Sequence, residues 1–534
     1  MRPAALLLLF TNLAAAQTVT TVAGSGRRGS ADGNGAQATF AAPWSITVDR
    51  QGDLYVADWG ANKLRRVTPE GLVTTFFGDG QYAVGPKSTL PYSVAVDSKG
   101  DVYVVDAPDE DSPYSAGAIR RITPVGEATT VLDGFFSAVA VDGEDTLYAM
   151  DVLGGLSKLR PGGARELLAG RVAFAGALAV DASHGVVVAD MPRDVLWKVS
   201  PGGEVARLAE AASFFGPWGI AVGVYGNVYV ADNGNQVIRK ISALGEVTTV
   251  AGSGALGDAD GEGRAASFRG PGSLALDCSG NLYVADTGNY KIRRVAVAEA
   301  AAGCGAWIVP TAARVGGAHG SFWTTDLTVH NRGPEAATAT LRFLGNGDDT
   351  RGLPQTTLAL DANQSVTIPD VLASAFGLGE AFGALEVVSG SGALVVRSRT
   401  SSGGLEGSVG DNVPGVPRRA FFGDQTSPSP VLTGLREDEA FRSNLVLVNG
   451  VDAPVTVAVT ALDGSGAVLG ERSYALPPRG MLQDSRFLAR PELGGAPRTG
   501  VSVRIATTTP GATFTALATV IDNVSNDPTT VLPQ

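Results

Sequence analysis

Histidine, cysteine and methionine are nearly missing from this chain: 3, 2 and 4 residues among 534. The histidines, His184, His319 and His330, are scattered along the sequence. A histidine-based zinc site or a Ser-His-Asp triad needs an imidazole held beside its partners. Two cysteines cannot make a four-ligand zinc site by themselves. No Gly-x-Ser-x-Gly elbow, Walker-type phosphate loop or His-Glu-x-x-His helix occurs. The chain is therefore expected to have no catalytic residues, no metal site and no cofactor, and to be no enzyme. Basic charge is also short: 41 Lys and Arg stand against 53 Asp and Glu, a net charge of −12. The residues from Gly305 on contain no lysine at all. Binding to nucleic acid, which needs clustered cations, is excluded. Past the N-terminus no apolar run reaches the ~20 residues of a membrane span.

What is present begins with Met1-Arg2-Pro3, a short apolar run through Leu9-Phe10, and Ala14-Ala15-Ala16. One positive charge, a brief apolar stretch and small residues fit a secretory signal over 1–16. The protein is expected outside the cytoplasm, secreted or in a periplasmic or extracellular location. In such an oxidising compartment Cys278 and Cys304 are expected to form a disulfide. Seventy glycines and 29 prolines punctuate short β-branched and aromatic runs. That is the texture of a turn-rich, all-β protein.

One unit recurs: an apolar strand ending in Asp, a Gly turn, and a second strand ending in Asp. Clear copies are Ile46-Thr47-Val48-Asp49 with Gly52-Asp53-Leu54-Tyr55-Val56-Ala57-Asp58, and Leu274-Ala275-Leu276-Asp277 with Gly280-Asn281-Leu282-Tyr283-Val284-Ala285-Asp286. Weaker copies end at Asp106, Asp151, Asp190 and Asp232, so the spacings are 48, 45, 39, 42 and 54 residues. This is the ~40–50-residue period of a four-stranded propeller blade. A third strand follows, as in Lys63-Leu64-Arg65-Arg66-Val67, and a fourth, as in Val247-Thr248-Thr249-Val250. The sixth copy lacks its fourth strand, whereas Thr18-Val19-Thr20-Thr21-Val22 near the N-terminus is spare. Ring closure by that strand would remove an unpaired sheet edge.

Gly-x-x-Leu-Tyr-Val-Ala-Asp, then Asn-x-x-Ile-Arg-Lys-Ile, then Pro-x-Gly resembles the NHL repeat. The resemblance covers residues 18–297 and is sharpest in copies one, five and six. It implies a six-bladed β-propeller over 17–302. Copies three and four depart from it, with Gly143-Glu144-Asp145-Thr146 and Ser183-His184-Gly185 in place of the usual turn.

Beyond residue 302 a second repeat appears, offset by about 118 residues: Phe322-Trp323-Thr324-Thr325-Asp326-Leu327-Thr328-Val329 parallels Phe441-Arg442-Ser443-Asn444-Leu445-Val446-Leu447-Val448. Seven or so short alternating strands per copy suggest immunoglobulin-like sandwiches at 303–419 and 420–534. The expected fold class is thus all-β, a six-bladed NHL-type propeller followed by two β-sandwich domains. Such tandem modules resemble those that trail exported bacterial proteins.

The strand-end aspartates Asp58, Asp232 and Asp286 read as turn caps or as partners of Arg65, Arg239 and Arg293. Repetition in every copy is repeat construction, whereas a catalytic site needs one asymmetric constellation. Some six-bladed propellers carry lactonase or lyase sites, but here the channel-side Asp series breaks at Gly223. Asp258-Ala259-Asp260-Gly261-Glu262 resembles a calcium loop, yet position twelve is Arg269, where a bidentate carboxylate is required.

In a four-stranded blade, the loop before the inner strand and the loop between strands two and three emerge on one face. They bring Trp44, Tyr92 and Trp218, and Trp59, Asn62, Asn235, Asn289 and Tyr290, to that face. Aromatics beside amides suit a protein, peptide or glycan partner. The alternatives are plugging of neighbouring blades by Trp44 and Trp218, a role for the acidic loop Asp109-Glu110-Asp111, a lyase or lactonase-like hydrolase, and a purely structural surface protein.

Overall fold

A computed structural model describes residues 17–78, 91–106, 118–173, 175–297, 299, 301–302, 304–316, 322–333, 336–347, 354–390, 394–404, 407–414, 416–417, 429–493, 495, 498–507, 509, 512–522 and 528–531. The proposed leader, the Asp109-Glu110-Asp111 loop and His319 lie outside the described residues.

The chain is all-β, and residues 18–296 form six small antiparallel sheets. Sheet one holds Pro43–Val48, Leu54–Asp58, Lys63–Val67 and Leu72–Phe77. Sheets two, three, four and five repeat this order, starting at Pro91–Val96, Phe136–Val141, Ala175–Val180 and Pro217–Val222. Sheet six holds Pro271–Leu276, Asn281–Asp286 and Lys291–Ala296, and its fourth strand is the N-terminal Thr18–Ala23. The register pairs Val19 with Val295, Thr20 with Arg294 and Thr21 with Arg293. The spare strand therefore closes the ring, and the first strand of sheet six packs on that of sheet one.

Burial explains why the sheets stand side by side. Each strand alternates its apolar residues between two faces, and the apolar clusters fall between neighbouring sheets. Tyr55, Ala57 and Leu64 of sheet one pack on Val94, Val102 and Val104 of sheet two, for example. Serines stitch the innermost strands together: Ser45 Oγ accepts from Val94 N–H at 3.1 Å, and Ser93 Oγ from Val139 N–H at 3.2 Å. The departures in copies three and four leave the first turn intact. Asp145 (φ 63°) and His184 (φ 64°) take the left-handed conformation that Gly52 and Gly280 supply elsewhere. Asp and His are among the residues that tolerate it.

The C-terminal part is also β-structure, in two regions whose sheets are laid out differently. Residues 305–417 form one nine-stranded sheet. Its strand Gly305–Gly316 pairs with Ala381–Ser389 along most of its length and with Phe322–Asn331 at its far end. The register shifts between Val309 and Ala312, around Pro310, which has no N–H to give to a ladder. One strand thus joins Ala381–Ser389 and Phe322–Asn331 within the sheet. Residues 431–531 do form two four-stranded sheets, around a core that includes Leu445, Val457, Phe487 and Phe514.

Candidate binding face

The second strand of sheets one, five and six ends in an aspartate with no exposed surface: Asp58, Asp232 and Asp286. One carboxylate oxygen of each accepts backbone N–H groups from the loop that leads into the innermost strand. The donors are Ala41 and Ala42 at 2.9 and 2.8 Å, Phe215 at 2.8 Å and Arg269 at 2.9 Å. The other oxygen takes the third-strand arginine: Arg65 at 3.3 Å, Arg239 at 3.2 Å and Arg293 at 2.8 Å. Burial pushes the Asp58 and Asp286 carboxyls up, and these N–H groups and arginines pull them back. These acids are therefore construction elements, as their repetition suggests.

A one-turn 3-10 helix follows each aspartate: Trp59–Ala61, Asn233–Asn235 and Thr287–Asn289. Backbone bonds tie this turn to the loop before the innermost strand, from Trp59 N–H to Ala42 O, Gly234 N–H to Phe215 O and Gly288 N–H to Arg269 O. Both loops thus share one face.

The structure divides the eight residues expected there. Trp44, Trp59, Tyr92 and Trp218 come together. The Trp44 ring lies 4.9 Å from Trp218, edge-on, 6.0 Å from Tyr92 and 6.1 Å from Trp59. Three different sheets supply them, so Trp44 sits at the mouth of the central channel. The three tryptophans are half-buried, and Tyr92 is buried. The Trp44 Nε1 is buried and has no hydrogen-bond partner among the described residues. The other four are committed inward. Asn62 and Tyr290 close the 3-10 turns in left-handed conformation, at φ 55° and 56°, and Tyr290 packs on the core between sheets six and one. Asn62 is buried. Asn235 and Asn289 donate to Asp232 and Asp286, each at 2.8 Å. The amides belong to the scaffold because the buried aspartates need donors.

Three residues that sequence reasoning missed also lie on these loops. Phe135, Leu153 and Phe215 are 54%, 81% and 60% exposed. Val152 N–H bonds Phe135 O, which is the same loop-to-loop link as in the other sheets. Their signal was available: Phe135 and Phe215 precede innermost strands as Ala42 does.

The channel, about 220 Å³, runs from this mouth to an end lined by Asp49, Asp97, Asp142 and Asp277. Each of these acids folds back on its own turn. Asp97 Oδ1, for instance, accepts Lys99 and Asp101 N–H at 2.9 and 3.0 Å. Linker residues Ala301, Ala302 and Cys304 line that end, and Ala302 N–H bonds Val222 O. Cys304 is bridged to Cys278, with Cα atoms 5.7 Å apart. Gly390, from the first C-terminal sheet, meets the Arg50 backbone there. The acids of the calcium-like loop face cations: Asp258 pairs with Lys291 at 2.8 Å and Asp260 with Arg293 at 2.7 Å. Among the described residues no cluster of three or more His, Cys, Asp or Glu side chains is placed to hold a metal ion, and no helix is long and apolar enough to cross a membrane.

The fold defines the class, a β-propeller-like ring of small antiparallel sheets with further β-structure after it. The profile of the NHL repeat matches residues 268–294, from the loop before the innermost strand of sheet six into its third strand. Over 80 residues the chain is 36% identical to Protein SUPPRESSOR OF QUENCHING 1, chloroplastic, from Arabidopsis thaliana, a stretch that is 15% of this chain and only 8% of that protein. Among solved structures it is similar to an auxiliary nutrient binding protein from Bacteroides ovatus, at 20% identity and TM-score 0.44, covering 53% of this chain and 76% of that one. It is also similar to virginiamycin B lyase from Staphylococcus aureus, at 14% identity and TM-score 0.35, covering 48% and 94%.

Proposed function

We propose that this protein is an exported, non-enzymatic binding protein. In this reading the six sheets are the blades of an NHL-type propeller, and the regions 303–419 and 420–534 are β-sandwich spacers of immunoglobulin-like kind that carry it. The disulfide between Cys278 and Cys304 supports an oxidising compartment. The partner is a protein, peptide or glycan. One observation carries the reading: the two ends of the channel differ. The acidic end is lined by the linker and met by the C-terminal part, while the other bears an aromatic cluster rimmed by exposed Phe135, Leu153 and Phe215. Flat apolar rings of this kind suit stacking on a sugar ring or an apolar side chain.

The test is binding of the full-length chain to immobilised glycans and to a peptide library, followed by titration of the tightest binder. Trp59→Ala and Phe215→Ala are expected to weaken that binder by roughly 2 kcal/mol each, about thirtyfold in affinity, with the fold intact. Undiminished affinity in both variants would move recognition to the Asp109-Glu110-Asp111 loop or the C-terminal part. Turnover of sugar-lactone or lyase substrates by the same preparation would instead establish an enzyme.

A further inference from the structure

At the channel's acidic end the first strand of five sheets terminates in an aspartate that holds its own turn: Asp49, Asp97, Asp142, Asp181 and Asp277. The pattern is constant. One oxygen accepts N–H groups two and four residues on. In sheets two, three and six the other oxygen takes a tyrosine hydroxyl six residues on: Tyr103 at 3.3 Å, Tyr148 at 3.2 Å and Tyr283 at 3.3 Å. In sheet six it also takes Asn281 Nδ2, at 2.7 Å.

Sheet five has Gly223 at this position, and its turn is otherwise the same. Val222 pairs with Val228 as Leu276 pairs with Leu282. Gly223 N–H bonds Asn227 O as Asp277 N–H bonds Asn281 O. The donors are also kept. Tyr225 N–H, two residues on, Asn227 Nδ2, four on, and Tyr229 hydroxyl, six on, all still point to one place. That place holds the carboxylate of Glu299, at 3.0, 2.8 and 2.8 Å. Glu299 comes from the linker after the ring and has no exposed surface. A β-carbon at residue 223 would fall on this carboxyl.

We propose that Glu299 is a surrogate, supplied by the linker, for the aspartate missing at position 223, and that it makes the turn of sheet five the anchor point for everything after the ring. The neighbours of the turn converge on that role. Tyr225 hydroxyl donates to Glu386 of the first C-terminal sheet at 2.5 Å, and Arg342 meets the same carboxylate at 3.2 Å. Arg479, from the last region, stacks over the Tyr225 ring at 4.5 Å and bonds Asp452 at 3.0 Å. Lys240 of sheet five pairs with Asp452 as well. Burial pushes the Glu299 carboxyl up, and the charges of Lys240 and Arg479 and the hydrogen bonds from Asn227 and Tyr229 pull it back. Gly223 does not adopt a left-handed conformation, and the three atoms nearest to a β-carbon there all belong to Glu299.

The test uses the full-length chain as Glu299→Ala, Gly223→Asp/Glu299→Ala and Glu299→Gln, with amide hydrogen exchange as the readout. In Glu299→Ala, exchange at Tyr225 and at Ala302 is expected to speed up by about tenfold or more. In the double variant Tyr225 is expected to return close to the wild-type rate, because the carboxylate is back in its own strand, while Ala302 stays fast. Glu299→Gln keeps the volume but replaces one of the two accepting oxygens by an NH2, which then faces the Tyr225 N–H or the pair of donors Asn227 Nδ2 and Tyr229 hydroxyl. It is expected to speed both sites and keeps the test decisive if the alanine variant does not fold. A double variant as fast at Tyr225 as Glu299→Ala would overturn the surrogate role. Recovery of Ala302 together with Tyr225 would overturn the anchoring role, and unchanged exchange in both single variants would overturn both.

Discussion

Replacing Arg293 by alanine is expected to cost roughly 3–5 kcal/mol of stability, the scale for removing one partner of a buried ion pair. Arg293 has no exposed surface, and its guanidinium is fully used. It bonds Asp286 at 2.8 Å, Asp260 at 2.7 Å, and the carbonyls of Ala259 and Ser267 at 2.8 and 3.2 Å, and it lies 5.3 Å from the centre of the Phe268 ring. It ties the last strand pair to the loop between sheets five and six. Alanine would leave Asp286 buried with only Asn289 and the Arg269 N–H as donors. The sign with pH follows. Burial already raises the Asp286 carboxyl above its usual value, and losing the arginine raises it further. The folded state then holds a proton that the unfolded state releases, so the variant gains stability as pH falls through that window. Urea unfolding at neutral pH and near pH 4 checks this. A deficit that is small, or that grows on acidification, would contradict the account.

Breaking the Cys278–Cys304 bridge, by Cys278→Ser with Cys304→Ser, is expected to cost about 3 kcal/mol on the loop-entropy model. The bridge spans 26 residues and joins the first turn of sheet six to the linker. The closed loop includes the last two strands of the ring and Glu299. The loss should therefore fall on the closure of sheet six, where the N-terminal strand is held by backbone pairing to Lys291–Ala296. Denaturation of the wild type with and without reductant, beside the double serine variant, measures it. Equal stability in all three would show that packing alone holds the linker.

Much of the ring was legible because its information is local and repeated. Asp-x-x-Gly turns, alternating strands and the arginine of the third strand recur with a period, and period is visible in one dimension. The spare strand Thr18–Ala23 was identifiable as the closing strand because the last copy was one strand short. The face was half legible. Loop order placed Trp44, Trp59, Tyr92 and Trp218 on one side, but exposure could not be read from it. Asn235 and Asn289 looked like surface amides, yet the buried aspartates claim their donors. Phe135 and Phe215, which also precede innermost strands, are open to solvent. The single nine-stranded sheet was hidden because the pairing of Gly305–Gly316 with the distant strand Ala381–Ser389, with its register shift around Pro310, has no periodic signal.

By itself the sequence determined the strand repeat, the closing strand and the pairing of strand-end acids with third-strand arginines. All of these rest on contacts between near neighbours or between equivalent positions of a repeat. Only the tertiary structure decided which end of the channel stays open, and which residue fills the gap at Gly223. Glu299 lies 76 residues away and belongs to no repeat. Its place is set by the path of the linker across the ring, and the buried donors of a turn without its own carboxylate hold it there.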